Sequence, residues 1–161
     1  MKYFFDTEFF DKGTTIDLIS IAMVSEDNRE LYFINTEIDI EELRQDQWLN
    51  DNVVSKFEYG DPNIWLTTDE IRSEIVEFVN CEKPEFWADY ASYDWVVLCQ
   101  LFGKMLDIPK HWPKFCMDIQ NFKKIMCPEL KFPDINTNKH HPLDDSKEVK
   151  FRHQYIMDYK Q

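Results

Sequence analysis

The order of apolar and polar positions marks out most elements of this chain before any single residue is weighed. Lys2–Phe9 is an aromatic-rich run that predicts a strand. Ile16–Ser25 (IDLISIAMVS) is almost continuously apolar, with β-branched residues and bounds at Gly13 and Glu26, the pattern of a strand buried on both faces. Glu30–Asn35 (ELYFIN) follows the polar turn Glu26–Arg29, and the short connections predict an antiparallel meander. Ile40–Phe57 is mostly polar with Leu43, Trp48 and Val53 at helical spacing, a helical or irregular segment. Thr67-Thr68-Asp69-Glu70 has the form of a capping box ahead of Ile71, Ile75, Phe78 and Val79. Glu85–Tyr90 reads as a short strand, and Ser92–Phe102 as a helix capped at Ser92 and stopped at Gly103. Phe115–Asp118 predicts a strand, Ile119–Met126 a helix, and residues 128–139 a proline-containing loop. Pro142 suits the first turn of a last helix reaching Tyr159. Three strands followed by alternating helix and strand predict an α/β fold, a mixed sheet flanked by helices.

Composition narrows this picture. The chain has 161 residues, 43% of them hydrophobic and 16% aromatic, enough for one domain with a packed core, residues 1–161, and too much for wholesale disorder. Apolar runs stay far below the roughly 20 residues that cross a bilayer, and Met1–Asp6 carries charge where a signal peptide would be apolar. Cys81, Cys99, Cys116 and Cys127 form no C-x-x-C pair and read as reduced thiols. No membrane association and a cytoplasmic location are the expectation.

The net charge of −13 argues, taken alone, against a nucleic-acid partner. Its distribution is uneven. Residues 1–103 hold 23 acids against 7 Lys/Arg, a balance of −16, whereas residues 104–161 hold 8 against 11, a balance of +3, with all four histidines. Such a split suits a segment that faces an anion, and equally an acidic solvated face with a neutral remainder.

Three places in the sequence carry candidate chemistry. Asp6 and Glu8 in Phe4-Phe5-Asp6-Thr7-Glu8-Phe9-Phe10 share one face of a strand and sit among phenylalanines, where two charges call for a divalent cation or for water at the strand end. Asp94 opens a helix after a strand, a favourable site for a carboxylate in any helix, with Asp89 as a rival ligand nearby. His140-His141-Pro142-Leu143-Asp144-Asp145 sets an imidazole beside a carboxylate in the first turn of a helix.

Taken together, D-x-E on the first strand, an aromatic-Asp pair after the strand at 85–90, and H-x-x-x-x-D opening the last helix resemble the DEDD 3′–5′ exonuclease superfamily, in its histidine-containing subgroup on a ribonuclease-H-like fold. FFDTEF, WADYASYDWVVLCQLFG and HHPLDD are most similar to the small RNase AS-type exoribonucleases. Counting to Asp145 selects His140, since His141 in the same count meets Ser146. Pro142 stands where relatives commonly have Ala, and Tyr90–Tyr93 replaces their usual pattern before the second-motif Asp. The resemblance implies Asp6, Glu8, Asp94 and Asp145 as ligands of two Mg²⁺ or Mn²⁺ ions, with His140 as the base. It implies release of 5′-mononucleotides from single-stranded RNA 3′ ends, and a homodimer. It also implies that the Thr7 backbone contacts a ribose hydroxyl. Phe9 and Phe10 are then placed to stack on bases, or to pack in the core. Lys139, Lys147, Lys150 and Arg152 are candidates to track phosphates, or a solvated helix face. The rival activities are the same hydrolysis of single-stranded DNA and an idle nucleic-acid-binding or protein-interaction module.

Overall fold

A computed structural model describes residues 1–160 of the chain. β1 (Lys2–Asp11), β2 (Ile16–Ser25) and β3 (Glu30–Asn35) form the expected antiparallel meander. β4 (Trp65–Leu66), β5 (Glu85–Ala88) and β6 (Met117–Asp118) complete a sheet of order β4-β3-β2-β1-β5-β6, in which β4 runs parallel to β3, β5 to β1 and β6 to β5. A register shift between Glu8 and Phe9 of β1 leaves Ile19 of β2 as an extra residue. This bulge lets Ile19 and Ala22 pack on one face of the sheet while Leu18, Ile21 and Met23 pack on the other.

Helices cover both faces. α3 (Thr68–Phe78) and α4 (Ser92–Gln100) bury Ile71, Ile75, Val97 and Leu98 against Tyr3, Phe5, Ile21 and Met23. On the opposite face α5 (Ile119–Met126) and α6 (Pro142–Tyr159) bring Ile119 and Val149 onto Phe4 and Trp87. α3 opens with the capping box read from the sequence, Glu70 accepting from the Thr67 amide at 2.8 Å and Thr67 accepting from the Glu70 amide at 3.4 Å. Gly103, at φ +95°, follows the last turn of α4 where its stop was expected.

Several boundaries differ from the sequence reading. The 40–57 segment breaks into α1 (Ile40–Leu43), α2 (Gln47–Asn52) and a 3₁₀ turn at Val54–Lys56, because Asp39 and Asp46 each cap a fresh helix start. β4 has two residues, too few to show alternation. β5 ends at Ala88, two residues early, and Tyr90 adopts φ +54°, which no strand accommodates. Ser92 does not cap α4: Ala91 holds that position, and its amide donates to Asp118 Oδ2 at 2.8 Å. Asp118 Oδ1 also accepts from the Asn121 amide at 2.7 Å, so one carboxylate ties the starts of α4 and α5 together.

Candidate active site

β5 pairs with β1 only across Lys2, Tyr3 and Phe4. Beyond that point the two parallel strands part, and an open cleft of about 800 Å³ lies at their carboxyl ends. This is where an open α/β sheet ordinarily takes its ligand, outside the strand ends at the switch in strand order. Asp6, Glu8, Asp94, His140 and Asp145 all line it.

Each carboxylate arrives by a different route. Asp6 and Glu8 share the β1 face that turns towards α6, as the period of two requires. Asp145 comes from the first turn of α6, and one oxygen from each of these three residues lies within 4.8 Å of the others. Asp94 stands outside that group. It comes from α4 on the other side of β1, and its Oδ1 accepts from the Thr7 amide at 2.9 Å and the Thr7 hydroxyl at 2.7 Å. Where β5 has left the strand, the Thr7 amide lacks a ladder partner, and Asp94 supplies one. Of the Thr7 backbone groups expected to meet a ribose hydroxyl, the amide is thus engaged by Asp94 in this structure.

The electrostatics fit a cation at this site. Burial pushes Asp6 well above the usual carboxylate range, helped by Asp94, Glu8, Asp145 and Asp89. Burial, then Asp145 and Asp94, raises Glu8 to about 8, partly offset by Lys56. Asp94 rises to about 6 through burial, against its bonds from Thr7. Asp145 also rises to about 6, burial again outweighing the His140 amide. Clustered buried carboxylates that cannot all ionise alone form a hard-oxygen site, and the donor set fits Mg²⁺ or Mn²⁺.

His140 lies in the cleft and His141 outside it. His140 has φ +65°, a turn that directs its amide to Asp145 Oδ2 at 2.7 Å while its Nδ1 stands 3.8 Å from Glu8 Oε1. Burial lowers its pKa, with Lys56 and Lys139 adding to the shift, which favours the neutral ring. His141 is buried, its Nε2 3.4 Å from Glu58, its Nδ1 3.5 Å from Asp144 and its ring on Tyr32.

The aromatic residues form a wall of the cleft. Phe9 and Phe10 both line it and both also pack on core clusters, on opposite faces of the sheet. Phe9 lies parallel to Tyr93, with ring centres 5.4 Å apart. Sequence reasoning missed Tyr90 in this wall and Trp48, which is 51% exposed and meets the His140 ring edge-to-face at 4.8 Å. The signal for Trp48 was one large aromatic in a polar helical stretch. Lys56, close enough to act on Glu8, His140 and Asp145, was missed as well and had no signal.

The cationic candidates are mostly occupied elsewhere. Lys147 pairs with Glu30 at 2.9 Å, and Lys150 donates to the Ser25 carbonyl at 2.7 Å and to Asn28 at 2.8 Å, both at the β2–β3 turn. Their spacing on α6 turns them away from the cleft. Arg152 lines the cleft but is held by Asp89 and Glu148, and Lys139 lines it while pairing with Asp134 at 3.1 Å. Asp89, the rival ligand, is engaged by Arg152 and by Gln120, at 2.7 Å from the latter.

The family described as 3′-5′ exoribonuclease Rv2179c-like domain matches residues 1–157. The chain is 36% identical over 152 residues to the 3′-5′ exoribonucleases Rv2179c and MT2234.1 of two Mycobacterium tuberculosis strains, covering 92% of this chain and 88% of each relative. A solved structure of exonuclease I superposes with a TM-score of 0.63 at 13% identity, over 98% of this chain and 42% of that one. The zinc-bound complex of E. coli exonuclease I with single-stranded DNA gives a TM-score of 0.62 at 13% identity, with the same coverage. The fold is that of those nucleases, of which this chain spans under half the length.

Proposed function

Because the chain belongs to the 3′-5′ exoribonuclease Rv2179c-like domain family, we propose that it is a divalent-metal-dependent hydrolase that removes 5′-mononucleotides from the 3′ end of single-stranded RNA. The observation that carries the metal part of this reading is the group formed by Asp6, Glu8 and Asp145 on the face below His140. Two Mg²⁺ or Mn²⁺ ions held by Asp6, Glu8, Asp145 and Asp94 would supply Lewis acidity to the scissile phosphate and its attacking water.

The remaining steps fall to the chain's own groups. His140 presents Nδ1 to the carboxylate cluster and accepts there the proton of the attacking water, a task that suits a ring kept neutral by burial. Thr7 fixes Asp94 through two hydrogen bonds, so this carboxylate enters the reaction already oriented. Phe9, Phe10, Tyr93 and Trp48 offer rings to the terminal bases, and stacking of this kind is worth about 1–3 kcal/mol per base. The reading treats residues 1–161 as a single exonuclease domain. It extends to a homodimer in a reducing cytoplasm, and the four free cysteines accord with that compartment. Among the described residues no helix is long and apolar enough to cross a membrane.

The test uses 5′-labelled RNA and DNA oligomers with Mg²⁺, Mn²⁺ or EDTA. We expect a ladder shortened from the 3′ end of RNA, mononucleotide products, and no cleavage in EDTA or by Asp6→Asn. Shortening of DNA in preference to RNA would reverse the substrate assignment. No shortening of either with metal present, or full activity of Asp6→Asn, would overturn the mechanism.

A further inference from the structure

Ser20 lies in the middle of β2, on the same sheet face as the metal carboxylates, directly opposite Glu8 in the antiparallel register. Directly opposed residues place their Cβ atoms about 4.5–5.5 Å apart. The side chain is 1% exposed, and its hydroxyl has no hydrogen-bond partner among the described residues. Buried hydroxyls are almost always satisfied, so one left over beside a reactive centre calls for a reason. Glu8 shows the complementary shortage. It is 8% exposed, and its carboxylate accepts no hydrogen bond among the described residues, with His140 Nδ1 standing 3.8 Å away. A donor without an acceptor therefore faces an acceptor without a donor across one pair of strands. The hydroxyl that α6 brings to this part of the sheet is already committed, since Ser146 donates to the Ala22 carbonyl at 3.0 Å.

We infer that Ser20 is a positioning residue for Glu8: its hydroxyl donates to the ionised carboxylate and holds it in the orientation that receives the cation. The inference rests on Glu8 being a metal ligand, as in the function proposed above. A ligating carboxylate keeps spare lone pairs that need a donor, and partners of this kind commonly govern metal affinity by 10–100-fold. Among the described residues no backbone amide donates to Glu8: those between β1 and β2 serve their ladder, and the Thr7 amide goes to Asp94. The period of two sends Ser20 and Ala22 to the active face and Ile21 and Met23 to the opposite core, and the bulge adds Ile19 to the Ser20 face.

The experiment measures Mn²⁺ binding by calorimetry to metal-free wild type, Ser20→Ala, Ser20→Cys, Ser20→Thr and Glu8→Gln, with the metal-free melting temperature as the check on folding. Ser20→Ala and the near-isosteric Ser20→Cys, a weak donor, should each bind Mn²⁺ about tenfold more weakly. Their metal-free melting temperatures should stay within a few degrees of wild type, so that weaker binding reports on Glu8 and not on a failure to fold. Ser20→Thr, which keeps the donor, should recover most of the affinity. Wild-type affinity in both Ala and Cys variants, alongside a weakened Glu8→Gln, overturns the Ser20 assignment alone. Wild-type affinity in Glu8→Gln, or no binding by the wild type, overturns the ligand reading and the Ser20 assignment with it.

Discussion

Two adjacent imidazoles show how much one position decides. His140 and His141 are interchangeable by composition, and counting to Asp145 separated them in the sequence. The structure gives that count a physical basis. The left-handed backbone at His140 points its ring at Glu8, and the next residue, in extended conformation, turns into the core against Tyr32. Loss of a positioned base typically costs 10²–10⁴-fold in rate. His140→Ala should therefore lower kcat by about that factor with Mn²⁺ affinity kept within a few-fold, whereas His141→Ala should keep kcat within a few-fold and lower the melting temperature instead. Steady-state rates and a melting curve for the pair check this, and equal losses of kcat would remove the distinction. The candidate metal carboxylates were legible because Asp6 and Glu8 share a strand face and because the three motifs in order resemble those of a known superfamily. Ser20 and Lys56 were not, because register across strands and proximity in space leave no mark on local spacing.

Elements set how firmly those residues are held. α4 carries Asp94, yet no side chain of its own caps its start. The Asp118 carboxylate does that work from β6, accepting the Ala91 amide as well as the Asn121 amide of α5. The sequence showed a strand ending at Asp118 and a helix following it, and could not show that the same side chain reaches back 27 residues. Loss of an N-cap costs about 0.5–2 kcal/mol. Asp118→Ala should lose stability of about that size and should also reduce kcat, since the helix start that presents Asp94 is released. Asp118→Asn, whose side-chain oxygen can still accept, should fall between. Urea unfolding and rate measurements together test this, and a stability loss with unchanged kcat would mean that Thr7 alone positions Asp94. α6 adds a pH-dependent contribution of its own. Its His153 is buried among Phe4, Trp87 and Phe122, and burial lowers its pKa, with Lys2 adding to the shift and Glu85 and Glu26 opposing it. The unfolded chain then takes up a proton near pH 6.5 that the folded one resists, so this stabilisation is present above that pH and fades below it. Between pH 7 and 5.5, His153→Leu should lose less unfolding free energy than wild type. An equal loss in both would show that His153 is not a source of acid sensitivity.

At the scale of the whole molecule, a net charge of −13 sits oddly with an RNA substrate. The structure deepens the oddity, because most basic side chains near the third motif are spent elsewhere. Lys147 and Lys150 serve the β2–β3 turn, Arg152 is shared by Asp89 and Glu148, and Lys139 pairs with Asp134. Lys56 alone remains near the carboxylates without an ion pair among the described residues, so the metal should supply most of the attraction for phosphate. Two divalent ions would carry the charge from −13 to −9 and place all of the gain in one cleft. RNA binding should thus depend on metal as well as on ionic strength. With His140→Ala to suppress cleavage, anisotropy of a labelled single-stranded RNA should show at least tenfold tighter binding in Mn²⁺ than in EDTA. Single strands lose about 0.7 of a log unit in affinity per phosphate neutralised by the protein for each tenfold rise in salt. With Lys139 and Arg152 lining the cleft and Lys56 close to its carboxylates, the slope in Mn²⁺ should not exceed about 2. A steeper slope would reveal a basic surface beyond the cleft, as a second subunit could supply. Equal affinity in EDTA would place the source of binding in the aromatic wall rather than in the metal site.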